Sequence, residues 1–303
     1  MPTTAAMTIQ KNAPIPTWFG IGGRADRLLA VRSDDDIRRG LEIDRAALVL
    51  GDGANLLVDD AGVGELVLAM EGYCGVEFAD GSGVVAQAGA DLSKLIHETA
   101  RRGLAGLEGL IGIPASVGGA AVMNAGGKFG QIADVIRRVH AISRGGSEVT
   151  LERRDIHYGY RRSGLNDLVI RRVEFGLMPE DPGSLRARVK DVMAYKKGSQ
   201  PLAASSAGCC FKNPTLRQDV RDERGEIGRA GERVSAGMLI DRAGLKGLRV
   251  RGAVVSERHA NFLVPDKGAA ARDVIDLMEQ VERRVLDRFG VVLEREVVVW
   301  RRK

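Results

Sequence analysis

Apolar positions recur along the chain at two spacings. Val274, Leu277, Met278, Val281, Val285 and Phe289 repeat every three or four residues, so they share one face of a helix over 271–290 that Gly290 terminates. Leu92, Leu95, Ile96 and Thr99 predict a helix starting at Asp91, and Leu185, Val189, Val192 and Met193 predict one over 185–197, stopped by Gly198. A further helix begins at Ser33, which is suited to N-capping, with Asp34 to Asp36 complementing its dipole. Between these, short apolar runs at 28–31, 46–51, 63–70, 75–80, 83–90, within 140–152, at 167–177 and at 291–300 read as strands. The segment 107–130 is dense in glycine, and PEDPGS at 179–184 has the composition of a linker. The grammar changes twice, giving expected segments 1–70, 71–178 and 185–303 in an α+β protein.

Composition narrows the picture. The 303 residues leave room for two or three domains, and 44% hydrophobic with 28% charged residues is ordinary globular usage, which excludes disorder or a coiled coil. Glycine (39) far outnumbers proline (9), which points to tight turns and to backbone approached closely by a ligand. The charge of +5 suits anionic partners, but the basic residues fall in short pairs such as Arg38-Arg39 and Arg137-Arg138, with no clustered basic face for nucleic acid. Three cysteines, Cys74, Cys209 and Cys210, cannot build a disulfide framework and fit a reducing compartment. The opening MPTTAAMTIQKNAPIP resembles neither a signal nor a transit peptide, and no stretch approaches the ~18 apolar residues of a membrane span. The expectation is a soluble cytoplasmic protein that binds neither membrane nor nucleic acid.

Five constellations carry candidate chemistry. GDGANLL (51–57) follows an apolar strand, where glycines let backbone amides face a phosphate; Leu56 stands where the dinucleotide fingerprint needs glycine, and a plain strand-end turn is the alternative. GIPASVGGAAVMNAGG (112–127) combines the rigid Ile113-Pro114 turn with bare backbone at Gly118-Gly119, suited to a pyrophosphate-bearing cofactor. It is no Walker loop, because Gly127-Lys128 is followed by Phe129. YGYRRSG (158–164) offers an arginine fork for a carboxylate or phosphate, or a solvated surface pair. AGCCFKNP (207–214) reads as a reactive thiol or as two small buried hydrophobes. Alternation in the closing strand puts Glu294, Glu296, Val298 and Trp300 on one face, so Glu296 is a carboxylate among buried apolar residues or a solvated strand end. The four histidines have no ligand spacing, and no metal is expected.

Taken in order, TWFGIGG (17–23), LGDGANLL (50–57), GIPASVGGAAVMNAGG (112–127), YRRSG (160–164), AGCCFKNP (207–214), AGMLIDRAGLKG (236–247), SERHANFLV (256–264) and LEREV (293–297) resemble the UDP-N-acetylenolpyruvoylglucosamine reductases, also called UDP-N-acetylmuramate dehydrogenases. The resemblance covers nearly the whole chain. It implies a two-part FAD-binding fold of the vanillyl-alcohol-oxidase type in 1–70 and 71–178, followed by a C-terminal α+β substrate domain in 185–303. It also implies noncovalent FAD, NADPH as cosubstrate, a UDP-sugar enolpyruvyl ether as substrate, and a place in peptidoglycan precursor synthesis. The short spacing between Arg161 and Cys209 corresponds to the branch without a tyrosine-bearing flap, acting as a monomer.

The same resemblance assigns roles. Arg161 would stabilise the enolate dianion formed when hydride reaches the enolpyruvyl group, and Glu296 would help to hold the carboxylate. Cys209, where most members carry Ser, would give the proton. Gly51, Gly53, Ala54, Asn55, Ile113, Pro114, Ser116, Gly118 and Gly119 would surround FAD; Asn213, His259 and Lys197 would touch the UDP-sugar. Phe129 stands where Tyr is common, and Ser199 where Lys is frequent. The competing readings are another FAD-dependent oxidoreductase of the same fold and a noncatalytic nucleotide-binding protein.

Overall fold

The computed structural model describes residues 8–79, 81–201 and 205–303. The absence of a targeting segment was read partly from residues 1–7, and Asp80 ends the predicted 75–80 strand; both lie outside the described residues. The chain divides into two compact units. The first comprises Met1–Pro14, Ala25–Asp52 and Gly64–Lys196, the second Ile15–Arg24, Gly53–Val63 and Lys197–Lys303.

In the first unit a four-stranded sheet has the order Ile9–Pro14, Arg24–Ala30, Val63–Ala69, Leu48–Leu50, the last two running parallel. Helix α1 (Asp34–Ile43) packs on it through Ile37 and Leu41. Ser33 caps α1 as its sequence position suggests: its hydroxyl accepts from the Asp36 amide while the Asp36 carboxylate accepts from the Ser33 amide. A Cβ at Gly40 would come within 2.5 Å of Leu68 Cδ2, so a larger residue there would force the Leu68 side chain to shift.

A second sheet of five antiparallel strands is ordered Glu148–Glu152, Ile136–Ser143, Leu168–Gly176, Gly83–Gln87, Val76–Phe78. Around it lie α2 (Leu92–Arg101), α3 (Val117–Met123) and α4 (Pro182–Ser199). One continuous apolar core runs from Leu29, Leu66 and Leu68 through Val84 and Leu92 to Val173 and Leu185. An ion network centred on the buried Arg171 ties the α1 start to the second sheet: its guanidinium pairs with Asp34 and, at 3.1 Å, with Glu148. The Tyr73 hydroxyl also donates to Asp34, and burial followed by that bond pushes the phenol up to about 12.

The second unit packs α5 (Ala236–Arg242) and α6 (Ala271–Phe289) with the three-stranded sheet Arg249–Val250, Ala253–Val255, Leu263–Pro265. All six apolar positions predicted for α6 are buried, and Gly290 ends the helix in the left-handed region at φ 66°. Phe19 and Leu57 enter the same core from the two earlier stretches of chain.

Three sequence expectations need correction. Helix α4 starts at Pro182, inside the segment read as a linker, because proline is favoured in a first helical turn, and it continues through Gly198. The closing strand covers only Val298–Trp300, paired in parallel with Leu56–Val58. Glu296 therefore precedes the strand, and the buried apolar residues there are Val291, Leu293 and Val297, on the opposite phase from the one expected. The Ile9–Pro14 strand was not anticipated, since IQKNAP lacks an apolar alternation.

Candidate functional site

The glycine-rich segment of the first unit is a turn leading into a helix. Ile113, Pro114 and Ala115 are half-buried, and Ser116 caps α3, its hydroxyl accepting from the Gly119 amide at 3.3 Å. The Val117 and Gly118 amides donate to Ala90 and Ala88 carbonyls, each at 2.8 Å, so the helix start is satisfied from within the fold. Gly51 lies directly against Ser116, where a Cβ would fall 2.3 Å from Ser116 Oγ. The amides of Gly51 and Ser116 have no backbone acceptor among the described residues. Backbone donors flanked by a glycine that admits close approach, beside a half-buried apolar turn, fit the diphosphate and ring of a flavin nucleotide.

Arg161 occupies a turn closed by reciprocal Gly159–Arg162 backbone bonds of 3.0 and 3.3 Å. Its φ of 54° lies in the left-handed region, which costs an L residue bearing a Cβ about 1–2 kcal/mol. Two side chains hold the turn there. Asn124, the left-handed C-cap of α3, donates from Nδ2 to the Gly159 carbonyl at 2.9 Å and to Gln131 Oε1 at 3.0 Å, while its Oδ1 accepts from the Ala133 amide at 3.3 Å. Ser163 donates to the Val122 carbonyl at 2.6 Å and accepts from the Leu165 amide at 3.1 Å. Strain kept in place by buried polar bonds is a mark of function.

Lys196 is 8% exposed, with Nζ donating to the Ile111 carbonyl at 2.6 Å. Burial, then the charge of Arg161, pulls its ammonium down to about 8. Lys197, expected at the UDP-sugar, is exposed, and its carbonyl accepts from the Arg258 guanidinium. Helical register distinguishes the two lysines: Lys196 follows Val189 and Val192 on the buried side of α4.

In the second unit, Gly208 at φ 75° turns the chain into Cys209, which is partly exposed, and Cys210, which is fully buried. Burial raises the Cys210 thiol to about 12, so it stays protonated. Asn261 clamps the next residue as a neighbouring strand would, accepting from the Phe211 amide at 2.9 Å and donating to its carbonyl at 2.8 Å. The Glu296 amide donates to the Cys210 carbonyl at 2.8 Å, and its own carbonyl accepts from Asn55 Nδ2 at 2.9 Å. The backbone carrying Glu296 is thus set beside the cysteine segment, and Asn55, expected at FAD, has its side chain committed to Glu296.

Gly53 sits under Pro16, where a Cβ would meet the Pro16 carbonyl at 2.2 Å, and Ala54 beside it is buried. Asn213 Oδ1 accepts from the Ala236 amide at 3.0 Å and so fixes the start of α5. His259 is edge-on to Phe262, with Nδ1 accepting from the Asn261 amide at 3.3 Å; burial holds its imidazole below the usual histidine range.

Residues 26–152 match the family described as FAD binding domain, which makes this an FAD-binding protein with the two-part flavin fold expected above. Residues 200–300 match UDP-N-acetylenolpyruvoylglucosamine reductase, C-terminal domain. A UDP-N-acetylenolpyruvoylglucosamine reductase from Desulfosudis oleivorans is 40% identical, covering 93% of this chain and 91% of its own, and one from Caulobacter vibrioides is 32% identical over 98% and 96%. The crystal structure of UDP-N-acetylenolpyruvylglucosamine reductase (MurB) from Thermus caldophilus superposes with a TM-score of 0.80 at 37% identity, covering 97% of this chain and all of that one. The chain belongs to the UDP-N-acetylenolpyruvoylglucosamine reductase family.

Two expectations follow from this geometry. Arg161→Gly relieves the left-handed strain and should raise stability by about 0.5–1 kcal/mol in urea denaturation, offset in part by glycine's chain entropy; a less stable variant would contradict the strain. Lys196 has a folded value near 8 against an ordinary 10.5, so below pH 8 the cost of its buried charge is fully present. Across pH 8 to 10.5 the unfolded chain binds more protons, and stability contributed by this site rises with pH. Lys196→Gln should remove that rise, measured as the difference between denaturation midpoints at pH 7.5 and 10; parallel curves would count against it.

Proposed function

We propose that the protein catalyses the FAD-dependent, NADPH-driven reduction of UDP-N-acetylglucosamine enolpyruvate to UDP-N-acetylmuramate, a step in making peptidoglycan precursors. The observation that carries this reading is Arg161, held in a strained turn by Asn124 and Ser163 in a chain that follows the reductase family over nearly its full length. FAD, when bound, would supply the hydride transfer that links NADPH to the methylene carbon of the substrate. Gly51, Ile113, Pro114, Ser116, Gly118 and Gly119 support the cofactor together with Gly53, Ala54 and Asn55.

Hydride addition leaves negative charge on the neighbouring carbon and its carboxylate. The Arg161 guanidinium neutralises that charge as it develops, an interaction stronger in the transition state than in the ground state. Cys209 then gives its S–H proton to the carbanionic carbon: the S–H bond breaks, a C–H bond forms, and a thiolate remains. A thiol with a reference value of ~8.5 is mostly protonated at neutral pH and can perform this step. Glu296, set by Asn55 and Cys210, steadies the carboxylate, and Asn213, His259 and Lys197 recognise the UDP-sugar. Residues 1–70 and 71–178 serve the flavin, and 185–303 the sugar nucleotide. Among the described residues no helix is long and apolar enough to cross a membrane, and a cytoplasmic monomer suits a reaction that needs a reduced thiol.

Purified protein should be yellow, bleach with NADPH and recover its colour when the enolpyruvyl nucleotide is added. In a Cys74→Ser background, which removes the exposed thiol, iodoacetamide should abolish turnover and substrate should protect, since Cys210 is buried. Full turnover of protein alkylated at Cys209 would remove that residue from the mechanism, and colourless protein that takes up no FAD would end the reading.

A further inference from the structure

Lys196 is a buried cation that none of the roles above employs. Its ammonium has three N–H donors. One is taken by the Ile111 carbonyl, and no carboxylate among the described residues pairs with it. The charge of Arg161, of like sign, also acts on it. The backbone has been shaped to admit the amine: Gly112 is at φ 76°, and a Cβ there would stand 3.0 Å from Lys196 Cδ. An isolated buried ammonium costs several kcal/mol in desolvation, and a nearby guanidinium adds to that cost. Such an arrangement makes sense where an anion arrives to neutralise the ammonium.

We propose that Lys196 is a second anion-binding residue of the active site, its ammonium contacting the enolpyruvyl carboxylate together with Arg161. The inference rests on the reductase reading and adds to it a binding residue within the first unit. Ile111 and Gly112 immediately precede the Ile113-Pro114 turn, and Ile111 orients the amine, so cofactor turn and carboxylate recognition are linked through one side chain. The charge of Lys196 then strengthens substrate binding as a merely structural hydrogen bond would not.

The test is calorimetric titration of FAD-loaded protein with UDP-N-acetylglucosamine enolpyruvate and, separately, with UDP-N-acetylglucosamine, which has the same diphosphate and sugar but no carboxylate. Lys196→Gln keeps a donor for Ile111 and removes the charge. It should bind the enolpyruvyl nucleotide about ten- to a hundredfold more weakly, the range of a lost charge-assisted bond, and bind UDP-N-acetylglucosamine as the wild type does. Lys196→Arg, which retains the charge, should recover most of the affinity and supplies the comparison if the Gln variant holds FAD poorly. Equal weakening for both nucleotides, or no weakening for either, overturns the assignment. Wild-type holoprotein that binds neither nucleotide would instead refute the reductase reading.

Discussion

The buried carboxamide of Asn124 fixes the backbone turn that carries Arg161. Asn124 ends α3 in the left-handed region, and from that position it binds the Gly159 carbonyl, Gln131 and the Ala133 amide together. The Gly159 carbonyl and the Ala133 amide would each cost about 1–3 kcal/mol if left without a partner away from water, which together outweighs the strain stored at Arg161. The turn therefore stays strained because its surroundings are more costly to disrupt. The glycine-rich segment and the arginine turn are in this way one structure, joined through α3.

The second unit uses the same chemical device. Asn261 pairs with both backbone groups of Phe211, immediately after the two cysteines, and Asn55 holds the carbonyl of Glu296. Side-chain amides can satisfy a donor and an acceptor at once, so they fix irregular backbone beside the short Phe211–Arg295 bridge. Arg295, between Glu294 and Glu296, adds a bidentate pair to Glu282 of α6 at 2.5 and 2.9 Å, anchoring the segment to the helix. Irregular loops carrying reactive groups are thus attached to rigid elements at several points.

Much of the fold was legible in the sequence where periodicity was long and punctuated. Helix α6 has five turns in register and a terminal glycine, and α1 has Ser33 with three acidic residues behind it, so local chemistry and burial agree. The errors lie where two rules compete. PEDPGS reads as a linker by composition, yet Pro182 is well placed to start α4. VVLEREVVVW alternates only in part, and its register is set by Leu56–Val58, a partner distant in sequence. The proposed roles of Arg161, Cys209 and Glu296 rest on motif resemblance. Asn124 and Asn261 were not singled out, because a carboxamide announces its role through distant partners and short-range spacing does not record them.

The decisive measurement is rapid-mixing absorbance of the two half-reactions in Asn124→Ala, after circular dichroism has shown an intact fold. If Asn124 serves to position Arg161, reduction of the bound flavin by NADPH should proceed at the wild-type rate. Reoxidation by the enolpyruvyl nucleotide should slow by about a hundredfold, as in Arg161→Ala, the scale of one lost transition-state contact. Wild-type rates in both halves, or an equal slowing of each, would contradict the account.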